Sequence, residues 1–406
     1  MRLCLFEDQH VAHLAPLVLT RAVYRLRLGV RSIARRHHDV FEPTAMLFHM
    51  RHAVRPSVKQ RTFGRGTLFI NGRYVPEPGE LADRLKAAAQ PGEPGRLFMQ
   101  DETVVAAWVP DRTLTLEAET LPAVELFDGL ATEDVEGARL ITRLWDLLDD
   151  LRGTLRQDIA ACAPKDSLQH ADVHPSAIVV NPEAIFCGRD VTIKPGSILN
   201  AEAGPIYLDE SVTVHEAAVL RGPLYLGPNS HAKAQANLEG VALGPYCKVG
   251  GEVHGVIMQG YSNKGHAGFL GDSFLGEWCN LGADTNNSNL KNDYGTVSLY
   301  NEVTGAYEDS GQQFLGLFMG DHSKCGINSM FNTGTVVGVS CNLYGAGLPP
   351  RYVPSFSWGG SDGLVPYRLD KALRVAEAVM ARRSRRLTPN DRAILSMLWD
   401  STHAVD

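Results

Sequence analysis

Between residues 173 and 343, large apolar side chains return every sixth position. Val173, Val179, Ile185 and Val191 stand on one such lattice, and Leu208, Val214, Leu220, Leu226, Ala232 and Leu238 on a second. Phe269, Leu275 and Leu281 form a third, and Met319, Cys325, Phe331, Val337 and Leu343 a fourth. Glycine follows the lattice residue at 226, 275, 281, 319, 325 and 337. In a chain that is 44% apolar, one such run is within reach of chance, but four in one region are not. A period of six predicts a triangular coil with three six-residue edges per turn and one inward side chain per edge, stacked so that the apolar column is continuous. An antiparallel sandwich would show period-two alternation with turns at intervals of roughly 8–12 residues, which this region fits less well. The phase breaks at about 198–206, 250–268 and 282–318 are expected to be loops leaving the coil, a placement that usually marks a functional face.

The rest of the chain differs in texture. At 406 residues it is too long for one ordinary core, so two or three domains are expected. Residues 1–134 alternate short apolar runs (LCLF, AMLFH, GTLFING, TVVAAWV) with helix-like segments, the pattern of an α/β layer. Residues 135–165 repeat apolar side chains at three and four and predict a connecting helix. The coil is expected over 166–365, followed by a helical tail over 366–406 in which TPND reads as a capped restart. The net charge of −7 argues against general polyanion binding, so no nucleic-acid partner is expected. Seven cysteines without a C-x-x-C pair point to a reducing, cytoplasmic setting rather than a disulfide framework or zinc site. The N-terminus has acids within its first ten residues and does not read as a signal peptide, and no apolar run is long enough for a membrane span.

The chemistry concentrates in NKGHAGFLGDSFLGEWCNLGADTNNSNLKNDYG, residues 263–295. A neutral imidazole at His266 is a suitable base near pH 7, and backbone amides at a Gly-rich bend such as LGAD can hold an oxyanion. The blander reading is a turn histidine with a satisfied hydrogen bond. The asparagines are equally at home as left-handed turn formers, and Asp284 reads as closing the turn. KGHAGFLGDSFLGEWCNLGADTNNSN is similar to the acetyltransferase half of the bifunctional N-acetylglucosamine-1-phosphate uridylyltransferase/glucosamine-1-phosphate acetyltransferase family. Through LTRAVYRLRLGV, LGADTNNSNLKNDYG and PPRYVPSFSWGG, the chain resembles a divergent branch of it. The resemblance implies an α/β nucleotidyltransferase-like domain, then a left-handed parallel β-helix of hexapeptide repeats and C-terminal helices. It also implies a homotrimer, acetyl-CoA (acyl-CoA) as donor and a sugar phosphate or nucleotide amino sugar as acceptor. By the same resemblance His266 is the general base, Asn280 and Asn289 contact substrate, and the Ala283 amide faces the thioester. Lys264 and Lys233 join them as candidate substrate contacts. Two positions depart from the family pattern: Phe269 stands where it has a tyrosine and His254 where it has a substrate lysine, so a hydroxyl and a cation that would grip a phosphorylated sugar are lost or altered.

The first domain lacks the expected nucleotide machinery. Nucleotidyltransferases of this class open with a Gly-rich phosphate loop, whereas LFEDQHVAHLAPLVLTR contains no glycine. Their metal-binding aspartate follows N-G, where this chain has Arg73. Mg2+ is therefore implied only if nucleotidyl transfer is retained, with Asp8 as a conceivable replacement ligand. Arg21, Arg25, Arg31 and Arg35 are expected along one helical face, as a solvated basic surface or, with Arg73, as phosphate contacts. The expected function is acyl transfer from acyl-CoA to an amino sugar phosphate or nucleotide amino sugar. The alternatives are a sugar-1-phosphate nucleotidyltransferase with an atypical phosphate site and a non-catalytic sugar-nucleotide-binding scaffold.

Overall fold

A computed structural model describes residues 1–117, 121–122, 124–164 and 167–404. The expected boundary at 165–166 falls outside them. The chain opens with a six-stranded mixed sheet built from β1 (Arg2–Phe6), β2 (Ala45–Phe48), β3 (Thr67–Asn71), β4 (Arg96–Gln100), β5 (Thr103–Val109) and β6 (Ala131–Asp134), in the order β6-β4-β5-β3-β1-β2. Three of the apolar runs read from the sequence become the central strands β1, β3 and β5, whose residues are almost all buried, and AMLFH becomes the half-buried edge strand β2. Helices α1 (Ile33–Phe41) and α2 (Glu80–Ala88) complete the layer.

Two expectations for this half are corrected. The connecting helix is helical only as α3 (Leu151–Cys162), because 135–150 is extended chain and a short 3-10 turn at Leu144–Leu147. The Asp150 carboxylate caps α3 by accepting from the Gly153 amide, which is why the helix starts there. The four arginines do not share a helix. Arg25 lies in a 3-10 turn, Arg31 in a two-residue strand and Arg35 in α1, while Arg21 is buried in the loop after β1.

From Asp172 onward the chain winds as a parallel solenoid of three sheets. The first face begins with Asp172–Val173 and runs through Thr192–Ile193, Thr213–Val214, His231–Ala232, Lys248–Val249 and Asn263–Lys264. Single bridges at Asn280 then lead to Lys324–Cys325, Asn342–Leu343 and Ser357–Gly360. The second face runs from Ile178–Val180 to Phe269–Gly271, after which Asn286–Asn287 pairs with Met330–Phe331. The third face has nine strands, from Ile185–Cys187 to Tyr352–Val353. Leu208, Val214, Leu220, Leu226, Ala232 and Leu238 are all 0% exposed and form the inner column with Leu275, Leu281, Met319 and Val337.

The phase breaks resolve differently from one another. Only 282–318 contains a long excursion: on the third face Phe274 pairs with Phe318, a step of 44 residues that includes the hairpin Ser298–Asn301/Ala306–Asp309. Leu299 of that hairpin and Val297 just before it pack against the first domain. The break at 198–206 is a small bulge of chain between Ile198–Asn200 and Ile206–Leu208. The break at 250–268 is no loop at all. It is a short turn of coil, Ala242 pairing with Ile257 only 15 residues on. Met258, Lys264 and Leu270 keep the six-residue step through it, with a lysine at an inward position. Leu270, rather than the expected Phe269, points inward.

The third face is covered from outside. Tyr207, Tyr225, Ile257, Phe274, Phe318 and Val336, which alternate with the inner residues, share one apolar cluster with the first domain and α3. Its strands are therefore apolar on both sides, as in parallel sheets buried on two faces. Helices α4 (Leu369–Ala381) and α5 (Pro389–Thr402) pack against the last turns, with Thr388 and Asp391 forming the capping box foreseen in TPND.

Candidate functional site

The corner between the first and second faces lies at the edge opposite the covered third face, and it carries His266. The chain bends here between Asn263–Lys264 and Phe269–Gly271, leaving His266 and Ala267 exposed. What holds the bend is Lys264. Its side chain is 0% exposed and turns back so that Nζ donates to the carbonyl oxygens of His266 at 2.8 Å and Ala267 at 2.7 Å. Burial pushes this ammonium down to about 8, and its two carbonyl acceptors take the place of water. Lys264 was expected to contact substrate; instead its ammonium is spent inside the fold, bracing the bend that presents the imidazole.

The next turn stacks on this one in register. The Leu281 amide donates to the Asn263 carbonyl at 2.9 Å and the Asp284 amide to the Ala267 carbonyl at 3.1 Å, so Ala283 comes alongside His266 at the spacing of adjacent strands, about 4.8 Å. Asp284 has φ 57° and closes the turn, as its sequence context suggests. One turn before, Gly250 carries no side chain, and a Cβ there would sit 3.2 Å from the Lys233 Cβ. Gly250 and Gly265 therefore put no side chain between Lys233 and the His266 bend.

Asn280 is exposed on the first face, where Asn263 Nδ2 makes a long contact of 3.5 Å to its Oδ1. This face carries an outward row of polar groups that also includes Lys248 and, across the Asn280 bridge, Lys324. Lys324 was missed from sequence because its only local signal is a cation beside a lattice cysteine. Its Nζ donates to the His322 carbonyl at 2.7 Å, and burial pushes it down to about 8.

His254 and Asn289 lie at the other end of the second face. The His254 ring meets Phe269 edge-on at 6.0 Å, and Asn289 Nδ2 donates to Asp272 Oδ2 at 2.6 Å. Burial raises the Asp272 carboxyl, and the Asn289 bond partly offsets it. The candidates thus form two groups at the two ends of the second face: His266, Ala283, Asn280 and Lys233 at one corner, and His254 and Asn289 across the Phe269 ring.

In the first domain the position of the absent metal ligand is filled. Arg73 is 1% exposed and grips Asp8 with Nε at 2.8 Å and Nη2 at 2.5 Å, while Asn71 Nδ2 donates to the same carboxylate at 2.8 Å. Glu7, also buried, is held by Arg51 at 2.6 Å. Both acids at the end of β1 are committed to guanidinium groups, so this donor set does not fit a magnesium ion, and Arg73 is too enclosed for the phosphate contact expected of it. Arg21 faces away from the sheet, bonded to Asp321 of the solenoid.

Residues 3–166 match the family model for sugar nucleotidyl transferases. A bifunctional sugar-1-phosphate nucleotidylyltransferase/acetyltransferase of Sulfurisphaera tokodaii is 33% identical over 130 residues, 31% of this chain and 30% of that protein. The bifunctional protein GlmU of Synechococcus sp. strain CC9902 is 27% identical over 276 residues, 66% of this chain and 54% of that protein. The aligned stretches span 25% to 54% of such relatives' own lengths. Two solved UDP-N-acetylglucosamine acyltransferases, from Francisella novicida and Arabidopsis, align over 54% and 59% of this chain and 73% and 92% of theirs. Their identities are 14% and 12% and their TM-scores 0.25 and 0.19, and such loose superpositions carry no argument. The chain is thus similar, over part of its length, to bifunctional sugar nucleotidyltransferase/acetyltransferases, with a nucleotidyltransferase-like α/β domain ahead of a parallel β-solenoid.

Proposed function

We propose that the solenoid transfers an acyl group, acetyl in the simplest case, from acyl-CoA to the amine of an amino sugar phosphate or nucleotide amino sugar. His266 takes the proton of the attacking ammonium, and the amine nitrogen then bonds to the thioester carbonyl carbon. The backbone amides at the Gly282–Ala283 bend hold the oxyanion, the C–S bond breaks as the thiolate leaves with the proton from the imidazolium, and the nitrogen gives up its remaining extra proton to water as the amide forms. Asn280 and Lys233 border the acceptor, with His254 and Asn289 at the far end of the second face. In this reading the chain acts in the cytoplasm as a homotrimer with the left-handed winding that its resemblance implies, its open edges meeting neighbouring copies. Six of the seven free cysteines are buried, which suits a reducing compartment.

The observation that carries the reading is the exposed His266 on a bend whose two carbonyls are tied by a caged lysine. A merely space-filling histidine needs no such brace. Removing a positioned base costs about 10² to 10⁴ in rate. His266→Ala should lose thiol release from acetyl-CoA on that scale, with its melting transition unchanged. If the variant keeps its rate within about threefold at saturating acceptor, the histidine is only a turn former. Nucleotidyl transfer by the first domain is disfavoured by the Arg73–Asp8 pair.

A further inference from the structure

At the corner between the third and first faces, on the same turns of coil that carry His266 and Ala283, lies a second site. The corner position of every turn has a left-handed backbone, φ 54–63°. At Asp190, Ser211, Asn229 and Ser340 it is filled by small polar residues, most of them types that tolerate this conformation, and at the last turn by the buried Phe356. Four consecutive turns instead carry Tyr246, Tyr261, Trp278 and His322, large rings at φ 59°, 54°, 63° and 62°. The rings stack along the coil, with centroids 5.2, 4.2 and 6.3 Å apart and interplanar angles of 8°, 18° and 12°. Bulky residues in this conformation are strained, and such strain gathers at functional sites. At the next turn the column gives way to Ser340, so no ring of this column covers the far face of His322.

Tyr261, Trp278 and His322 wall a cavity of about 690 Å³ between the solenoid, the loop after β1 and helices α4 and α5. Its size suits a nucleotide-sized ligand. Met380, Ile394 and Leu395 give it an apolar side; Arg385 and Arg386 reach it from the chain between α4 and α5, Arg385 bonded to the Tyr261 hydroxyl at 3.2 Å, and Arg21 and Arg25 from the loop after β1. The carboxylates in the wall are already engaged: Asp321 by Arg21 and Thr20, Asp391 by Thr388, and Glu277 by Arg21 at 3.4 Å. Arg25 and Arg386 have no carboxylate partner among the described residues. Arg21 is 7% exposed, and its Nη1 is buried without a hydrogen-bond acceptor, an arrangement that costs free energy unless a ligand fills it. His322 Nδ1 is likewise unpartnered. Burial, with Lys324 adding to it, pushes that imidazole down to about 4, so it is a neutral ring at physiological pH.

We propose that this cavity binds a nucleoside di- or triphosphate, its base extending the ring stack beyond His322 and its phosphates held by Arg25, Arg385, Arg386 and the unsatisfied Nη1 of Arg21. The site lies on the solenoid side of the loop after β1, away from Arg73 and Asp8, and it does not depend on acyl transfer at His266. Titration of the full chain with ADP, ATP, UDP, UTP and inorganic pyrophosphate, followed by calorimetry and tryptophan emission, tests it. Nucleotide should bind and quench emission, and Trp278→Phe should lose the quench. Arg25→Ala and Arg386→Ala, both at exposed positions, should each weaken binding by about tenfold or more while thiol release from acetyl-CoA is unchanged. Three outcomes overturn the proposal: no nucleotide bound at millimolar concentration, equal affinity in the Arg25→Ala/Arg386→Ala double variant, or pyrophosphate binding as tightly as the nucleotides.

Discussion

Lys264 is the residue on which the acyl-transfer corner turns. Its neutral form is favoured in the fold, at about 8 against an ordinary 10.5. Below pH 8 both folded and unfolded chains carry the ammonium, but only the fold must bury it. Between those values the unfolded chain still binds a proton that the folded chain has released, so stability rises with pH and levels off above about 10.5. Lys324 behaves alike. Scanning calorimetry should therefore show a smaller rise in melting temperature from pH 8 to 10 in Lys264→Met than in the parent. The same variant strips the donor from the His266 and Ala267 carbonyls, and its rate should drop by about tenfold with the fold intact. A rate equal to the parent's would show that the brace is dispensable. Sequence periodicity hid this residue, because a lattice counted in apolar side chains treats a lysine as a break. His266 and Asp284 were legible through their glycine-rich bends. The Tyr261–Trp278 ladder was not, since corner positions have no apolar period to betray them.

Among elements, the ends of β1 and β3 form a closed ionic clasp. A bidentate guanidinium occupies the place where a divalent cation would neutralise the carboxylate, and it satisfies both oxygens without any ion. Removing one partner of a buried pair strands the other. Arg73→Ala should accordingly cost about 3–5 kcal/mol in denaturant unfolding, and Arg73→Ala/Asp8→Asn distinctly less. If the double change is the more damaging, the pair is not what holds these strand ends. The strands themselves were readable from their apolar runs. The extended chain at 135–150 was misread as helix because apolar residues spaced at three and four also suit a segment that buries alternate patches against a neighbouring domain. Leu144 and Leu147 do so within the first domain's core.

At the scale of the whole molecule, the open first and second faces are where copies would meet. Activity should sediment with a trimer in analytical ultracentrifugation, and a stable, fully active monomer would overturn that assembly. The third face has another role. Tyr207, Tyr225, Ile257, Phe274, Phe318 and Val336 form a greasy stripe along the coil that the first domain seals. A domain that serves as the wall of its neighbour cannot be removed without baring that stripe. A sheet this long and apolar, left bare, would find other sheets, so the first domain is held in place by its shape whatever chemistry it performs.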